Sequence, residues 1–294
     1  MYWGALKIKK GIEWEEFHNA MNETARTNVE SWRPLFDFIS TFDSVFTDLI
    51  DRSTAIEGER PQDYVALILA TRSFRLAIGG LTLAVSGYQD LVPNLLRTIW
   101  EINIRLIYMK RDPVKLAMGY LLHSAYEKIN GMESGGKYYN ETEKRSSYFY
   151  ENLRINKDYY GYLERIAQNH GLNPKSTRKK YEKMKVAKMC KDLGIKIAYD
   201  IAYSHYCGFV HERNLATNYF MKETNNSRVF EAGPVDRFAL ETSKDTLKHL
   251  GMVLEAVADL VEDQQLTEKI KGVLIDLDLA DKRVKSGVDK QDIV

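Results

Sequence analysis

Only two cysteines, Cys190 and Cys207, and six prolines occur in a chain of 294 residues. Two thiols cannot build a disulfide framework and lack metal-ligand spacing, so a reducing, cytoplasmic setting is expected. An excess of either charge is also missing. Forty-two Lys and Arg against 41 Asp and Glu leave a formal charge of +1, so the molecule as a whole is not steered toward a polyanion. The N-terminal MYWGALKIKK holds no apolar run of signal-peptide length. The most apolar stretch, Tyr64 to Val85, would reach across a bilayer, but Arg72 and Arg75 stand in its middle. Each would cost about 2.5–3.5 kcal/mol to insert, so a buried soluble helix without membrane attachment is expected. No Walker-type phosphate loop, G-x-G-x-x-G, H-E-x-x-H, paired C-x-x-C or G-x-S-x-G is present. The commonest nucleotide-hydrolase, zinc and serine-hydrolase readings are therefore unsupported, and no metal or cofactor is expected.

What is present is helical periodicity. Hydrophobic residues at 44% and charged residues at 28% are ordinary for a soluble globular chain. Apolar positions recur three and four apart over Ile12–Trp32 and Leu35–Ile50, with Arg33-Pro34 between them. Pro61 suits the first turn of a helix running to Val85, closed by Ser86-Gly87. Further helices are expected from Asp90 to about Lys110, from Asp112-Pro113 to the Gly135-Gly136 region, within 137–170, and from Ile195 to about Val210. Ser176 is expected to cap one basic helix from Thr177 to Leu193. Around 218–231 the period changes, and Thr224-Asn225-Asn226-Ser227 reads as the centre of a short β-hairpin or ribbon. A long amphipathic helix to about Asp263 and a short one at Thr267–Leu277 follow. The fold class is all-α: one multi-helix bundle of about nine or ten helices. Its expected parts are an N-terminal helical pair at 1–60 packed on the main domain, a helical core domain at 61–280, and a frayed polar tail at 281–294.

Two groups of polar residues sit on apolar helices. Arg97, Glu101 and Arg105 recur at i, i+4 and share one face of a helix that is otherwise Leu, Ile and Trp. Burial of such charges demands partners. The set reads either as a structural ion-pair ladder or as a pocket that positions an anion. Tyr199, Tyr203, Cys207 and His211 repeat every four residues, with His211 at the C-terminal end of its helix, where the macrodipole favours the imidazolium. His211 reads as a capping or packed histidine, or as a general acid/base or phosphate ligand.

Residues 88–113 and 199–211 together resemble a large, poorly characterised bacterial family of all-helical proteins. Its pattern is an R-x-x-x-E helix with an Asp-Pro break, followed about a hundred residues later by Y-x-x-x-S-x-x-x-H. Arg97 and Glu101 match the first element, and Tyr203 and His211 the second, with Cys207 in the serine position. The layout is similar to HEPN-like domains, many of which are ribonucleases of toxin–antitoxin and phage-defence systems. Their usual R-x(4–6)-H lacks its arginine at 204–206 before His211, where His205 stands instead as His205-x5-His211, and occurs literally only as Arg165-x4-His170. The resemblance implies a metal-independent ribonuclease in which His211, helped by His205, takes the ribose 2′-OH proton. Arg97 would stabilise the phosphorane and Glu101 would orient Arg97 or a histidine. It also implies RNA as substrate, a homodimer, and a partner protein from the same operon. The competing expectation is a non-catalytic helical module that binds a protein, a nucleic acid or a small anionic ligand.

Between Lys175 and Lys191, eight Lys and Arg face the single acid Glu182, a local charge of +7. Lys179, Lys180 and Lys183, with Tyr203 and Arg105, are the substrate-binding candidates, because such a surface neutralises phosphates. The tyrosine-rich stretch before it offers stacking surfaces for unpaired bases. A plain solvated basic face is the alternative. Residues 255–281 carry eight acids against two lysines, so the basic helix is also expected to pack or dimerise with them.

Overall fold

The computed structural model describes residues 22–23, 25–30, 33–52, 59–136, 148–210, 221–224, 227–230 and 239–286. The architecture is an all-α bundle, and the chain also holds one small β-hairpin. Among the described residues it contains α1 (Arg33–Arg52), α2 (Pro61–Val85), a 3-10 turn (Gln89–Leu91), α3 (Val92–Met109), α4 (Pro113–Gly136) and α5 (Tyr148–Asn169). These are followed by α6 (Pro174–Glu182), α7 (Val186–Asp192), α8 (Lys196–Val210), strands β1 (Met221–Thr224) and β2 (Ser227–Phe230), α9 (Ala239–Leu260) and α10 (Gln264–Ser286).

Proline and glycine set several boundaries. Pro61 occupies the first turn of α2, where its missing N–H costs nothing. At the other end Gly87 takes φ +84°, and the N–H groups of Gly87 and Tyr88 donate to Ala84 and Leu83 carbonyls. That satisfies the last turn in the manner a left-handed glycine allows. The strands pair antiparallel with Thr224 opposite Ser227 and Met221 opposite Phe230, as the period change predicts.

The expected basic helix 177–193 is instead two helices. Asn173 caps α6, its Oδ1 accepting from the Ser176 N–H at 2.9 Å, and Pro174 fills the first turn. Ser176 is thus the capped residue and not the cap. The last helix is also longer than expected. Glu262 adopts φ +65°, and Asp263 Oδ1 accepts from the Leu266 N–H at 2.9 Å, starting α10 at Gln264. The helix continues to Ser286, past the start of the expected frayed tail.

The main core joins α1, α2, α3, α4, α5, α9 and α10 through residues such as Phe42, Leu69, Ile99, Leu122, Leu163, Leu254 and Ile270. The expected first helix of an N-terminal pair, 12–32, lies mostly outside the described residues, whereas α1 contributes Leu35, Phe42, Val45 and Leu49 to this core. Helix α2 is the one described helix long and apolar enough to cross a membrane by length and composition. Here it buries Ala66, Ala70, Ala77 and Gly80 against its neighbours, with Arg72 and Arg75 exposed. A smaller core joins α3 to α7 and α8 through Leu96, Trp100, Ile104, Met189, Cys190 and Tyr206. Helix α3 therefore serves two cores, with Ile99, Ile102 and Leu106 toward one and Leu96, Trp100 and Ile104 toward the other.

Tyr206 of this smaller core meets His249 of α9, with the hydroxyl 3.0 Å from Nε2. Burial pushes the Tyr206 hydroxyl up to about 12 and holds the His249 imidazole below its ordinary value. A histidine whose folded pKa is depressed binds its proton more readily unfolded. Stability is therefore expected to fall as pH drops below about 6.5, the free-histidine value, toward the lowered folded pKa. Denaturant melts from pH 8 to pH 5 check this, and His249→Phe should flatten the profile across that window.

Candidate functional site

The stripe Arg97, Glu101, Arg105 and Tyr108 follows from i, i+4 and i+3 spacing and lies between the two apolar faces of α3. Two tyrosines of α8, Tyr199 and Tyr203, approach it. Trp100 stacks on Tyr199 with centroids 5.6 Å apart, and Tyr199 stacks on Tyr203 at 5.2 Å. The Arg97 guanidinium carbon then sits 4.6 Å above the Tyr203 ring. Two tyrosines one turn apart on α8 thus continue a column begun by a tryptophan of α3 and ended by its arginine.

Glu101 ties the face together. Its Oε1 accepts from Arg97 Nε at 3.2 Å, and its Oε2 lies 3.5 Å from an Arg105 terminal nitrogen. The three side chains are 25%, 23% and 29% exposed for Arg97, Glu101 and Arg105. They form a half-open ladder of net charge +1, neither sealed in the core nor fully solvated. Arg105 also stands near Tyr181 of α6, whose hydroxyl burial pushes up to about 12 while Arg105 opposes that rise. Burial likewise raises the Tyr199 hydroxyl, with Tyr203 and Glu101 adding and Arg97 opposing. Cys190, fully buried below the site, is pushed up to about 11 by burial, so it is a protonated, packed thiol.

Of the sequence-predicted residues, Arg97, Glu101, Arg105 and Tyr203 come together. His205 does not join them. It lies on the exposed side of α8 with its ring edge against Tyr206, 5.6 Å between centroids. The cause is helical geometry: two residues beyond Tyr203 is more than half a turn away. His211 follows Val210, the last residue of α8, and lies outside the described residues, as does the side chain of Cys207. Lys179 and Lys180 are exposed on α6, which packs on α4 and α5, and Lys183 is exposed just after it. Arg178 of that helix is buried over Tyr126 at 3.6 Å and bonded to Glu182 at 3.2 Å. Helix α10, the expected acidic partner of the basic helix, packs instead on α9 and α1. Arg165 and His170, the literal R-x4-H pair, mark the end of α5.

Residues 63–228, more than half of the chain and spanning α2 to β2, match the model of a family of unknown function, DUF5677. The chain belongs to that family. DUF5677 therefore encloses both the α3 ladder and the α8 tyrosine stripe, and His211 with them. No curated protein and no solved structure matches the chain. Among the described residues, no group of three or more His, Cys, Asp or Glu converges as metal ligands.

The residues that pattern reading missed are Trp100, read there only as an apolar neighbour, and Arg111, Lys115 and Tyr181. Trp100 carried a signal, since it lies one turn before Ile104 on the apolar stripe facing α8. The others come from three elements, and no local spacing joins them.

Proposed function

We propose that this DUF5677 chain is a HEPN-like, metal-independent ribonuclease acting at the α3–α8 face. The observation that carries the reading is the posture of Arg97. Glu101 holds its Nε and Tyr203 supports its guanidinium plane, while a quarter of the side chain stays open to solvent. A pre-positioned guanidinium of this kind suits charge that develops on a phosphorane. His211 supplies the base, since it follows α8 directly and continues the Tyr199–Tyr203–Cys207 spacing. It would take the proton from a ribose 2′-OH, and the 2′-oxygen would attack the adjacent phosphorus. The bond to the 5′-oxygen breaks, leaving a 2′,3′-cyclic phosphate and a 5′-hydroxyl once that oxygen regains a proton. RNA binding is carried by Arg97 and Arg105, with Lys179, Lys180 and Lys183 as an outlying basic surface. His205, given its exposed position, is assigned no catalytic part.

The second reading is a binding module without catalysis. It is favoured by Glu101 engaging both arginines at once, as a structural clasp would. Induced expression of the wild type and of His211→Ala separates the two. The ribonuclease reading expects growth arrest and fragmented total RNA with the wild type alone. Intact RNA in both cultures, with both proteins folded and abundant, would favour the module.

A further inference from the structure

We propose that the cleft between the end of α3, the start of α4 and α6 binds a phosphate monoester. The cleft holds about 120 Å³ and is lined by Arg111, Lys115 and Lys180 with Asp112 as its one acid, three cations less one anion giving +2. Its floor is apolar, made by Leu116, Tyr181 and Met184. The cations arrive from the α3–α4 turn, from the first turn of α4 and from α6, so no helix repeat brings them together.

Arg111 is oriented before any ligand arrives. It donates to the Asp192 backbone carbonyl and lies 5.3 Å over the Tyr108 ring, and Tyr108 donates to the Asp192 carboxylate at 3.1 Å. Lys115 reaches Asp112 only at 3.7 Å, and Lys180 has no ion-pair partner among the described residues. Cations converging on one cleft repel each other, and an anion between them relieves that repulsion. The first turn of the 24-residue α4 adds its partial positive charge to the same cleft. A dianion matches the +2 excess better than a carboxylate or a phosphodiester. The volume admits a phosphate group and leaves the remainder of the ester outside.

This site lies beyond Tyr108, more than two helical turns along α3 from Arg97, and shares only Lys180 with the proposed RNA surface. Titration calorimetry of the full chain with inorganic phosphate and with a nucleoside 5′-monophosphate tests it. Saturable binding at one site is expected, weakened about tenfold in Lys180→Ala, as loss of one charge-assisted contact implies. Asp112→Asn should strengthen it several-fold, whereas Lys175→Ala should leave it unchanged. No saturable binding of either probe by folded wild type would overturn the proposal, as would equal affinity in wild type and Lys180→Ala. A 5′-phosphorylated oligonucleotide compared with its 5′-hydroxyl twin identifies the source. Lys180-dependent preference for the phosphorylated strand supports the site as a strand-end pocket. Response to the mononucleotide alone supports it as a pocket for a free phosphorylated metabolite.

Discussion

Trp100→Ala is expected to lower stability by about 3–5 kcal/mol, the usual cost of deleting a buried tryptophan ring. Trp100 is 9% exposed, belongs to the smaller core and stacks on Tyr199 of α8. Removing it leaves a cavity between α3 and α8 and frees the tyrosine column that supports Arg97. The main core does not share this contact, so α1, α2, α9 and α10 should keep their packing. Trp100→Phe retains an aromatic partner for Tyr199 and should recover much of the loss. Denaturant unfolding with fluorescence and circular dichroism measures both, and a loss below about 1 kcal/mol for the alanine variant would mean that α8 is held elsewhere.

Arg97→Ala is expected to act in the opposite proportion, with a small effect on folding and a large one on chemistry. Its pair with Glu101 is an i,i+4 contact at one-quarter exposure, worth about 0.3–0.5 kcal/mol. Its stacking on Tyr203 adds about 0.5–1 kcal/mol at such a half-open site. The sum is about 1 kcal/mol, well short of the several kcal/mol lost when a buried pair is broken. RNA cleavage should fall by about a hundredfold or more, as when one preorganised donor is removed from a developing oxyanion. Several kcal/mol of lost stability with cleavage unchanged would make the ladder a structural clasp.

Much of the helical layout was legible because local signals agreed with tertiary packing. Pro61 and Pro113 begin helices at the positions that their fixed φ favours, and Ser86-Gly87 ends one where a left-handed residue was needed. The errors came where no local breaker exists. Lys183-Met184-Lys185 interrupts the basic segment between Glu182 and Val186 without glycine or proline. Glu262 takes a left-handed conformation that its residue type does not advertise, and the turn it makes lets Asp263 begin α10 early. The candidate site was half legible for the same reason. Arg97, Glu101 and Arg105 share a face by spacing alone, and so do Tyr199 and Tyr203. That the two stripes meet, with Trp100 completing the column, depends on how α3 and α8 cross. The Arg111–Lys115–Lys180 cleft was invisible to pattern because its members lie up to 69 positions apart and meet only through packing of α4 against α6.

The most direct measurement is cleavage of a defined RNA by purified protein in excess chelator, comparing wild type with His211→Ala and Arg97→Ala and analysing the new ends. The account predicts chelator-resistant cleavage by the wild type, leaving 2′,3′-cyclic phosphate and 5′-hydroxyl ends, and loss of that cleavage in both folded variants. Cleavage that His211→Ala leaves intact, or folded wild type that leaves RNA uncut, would contradict it.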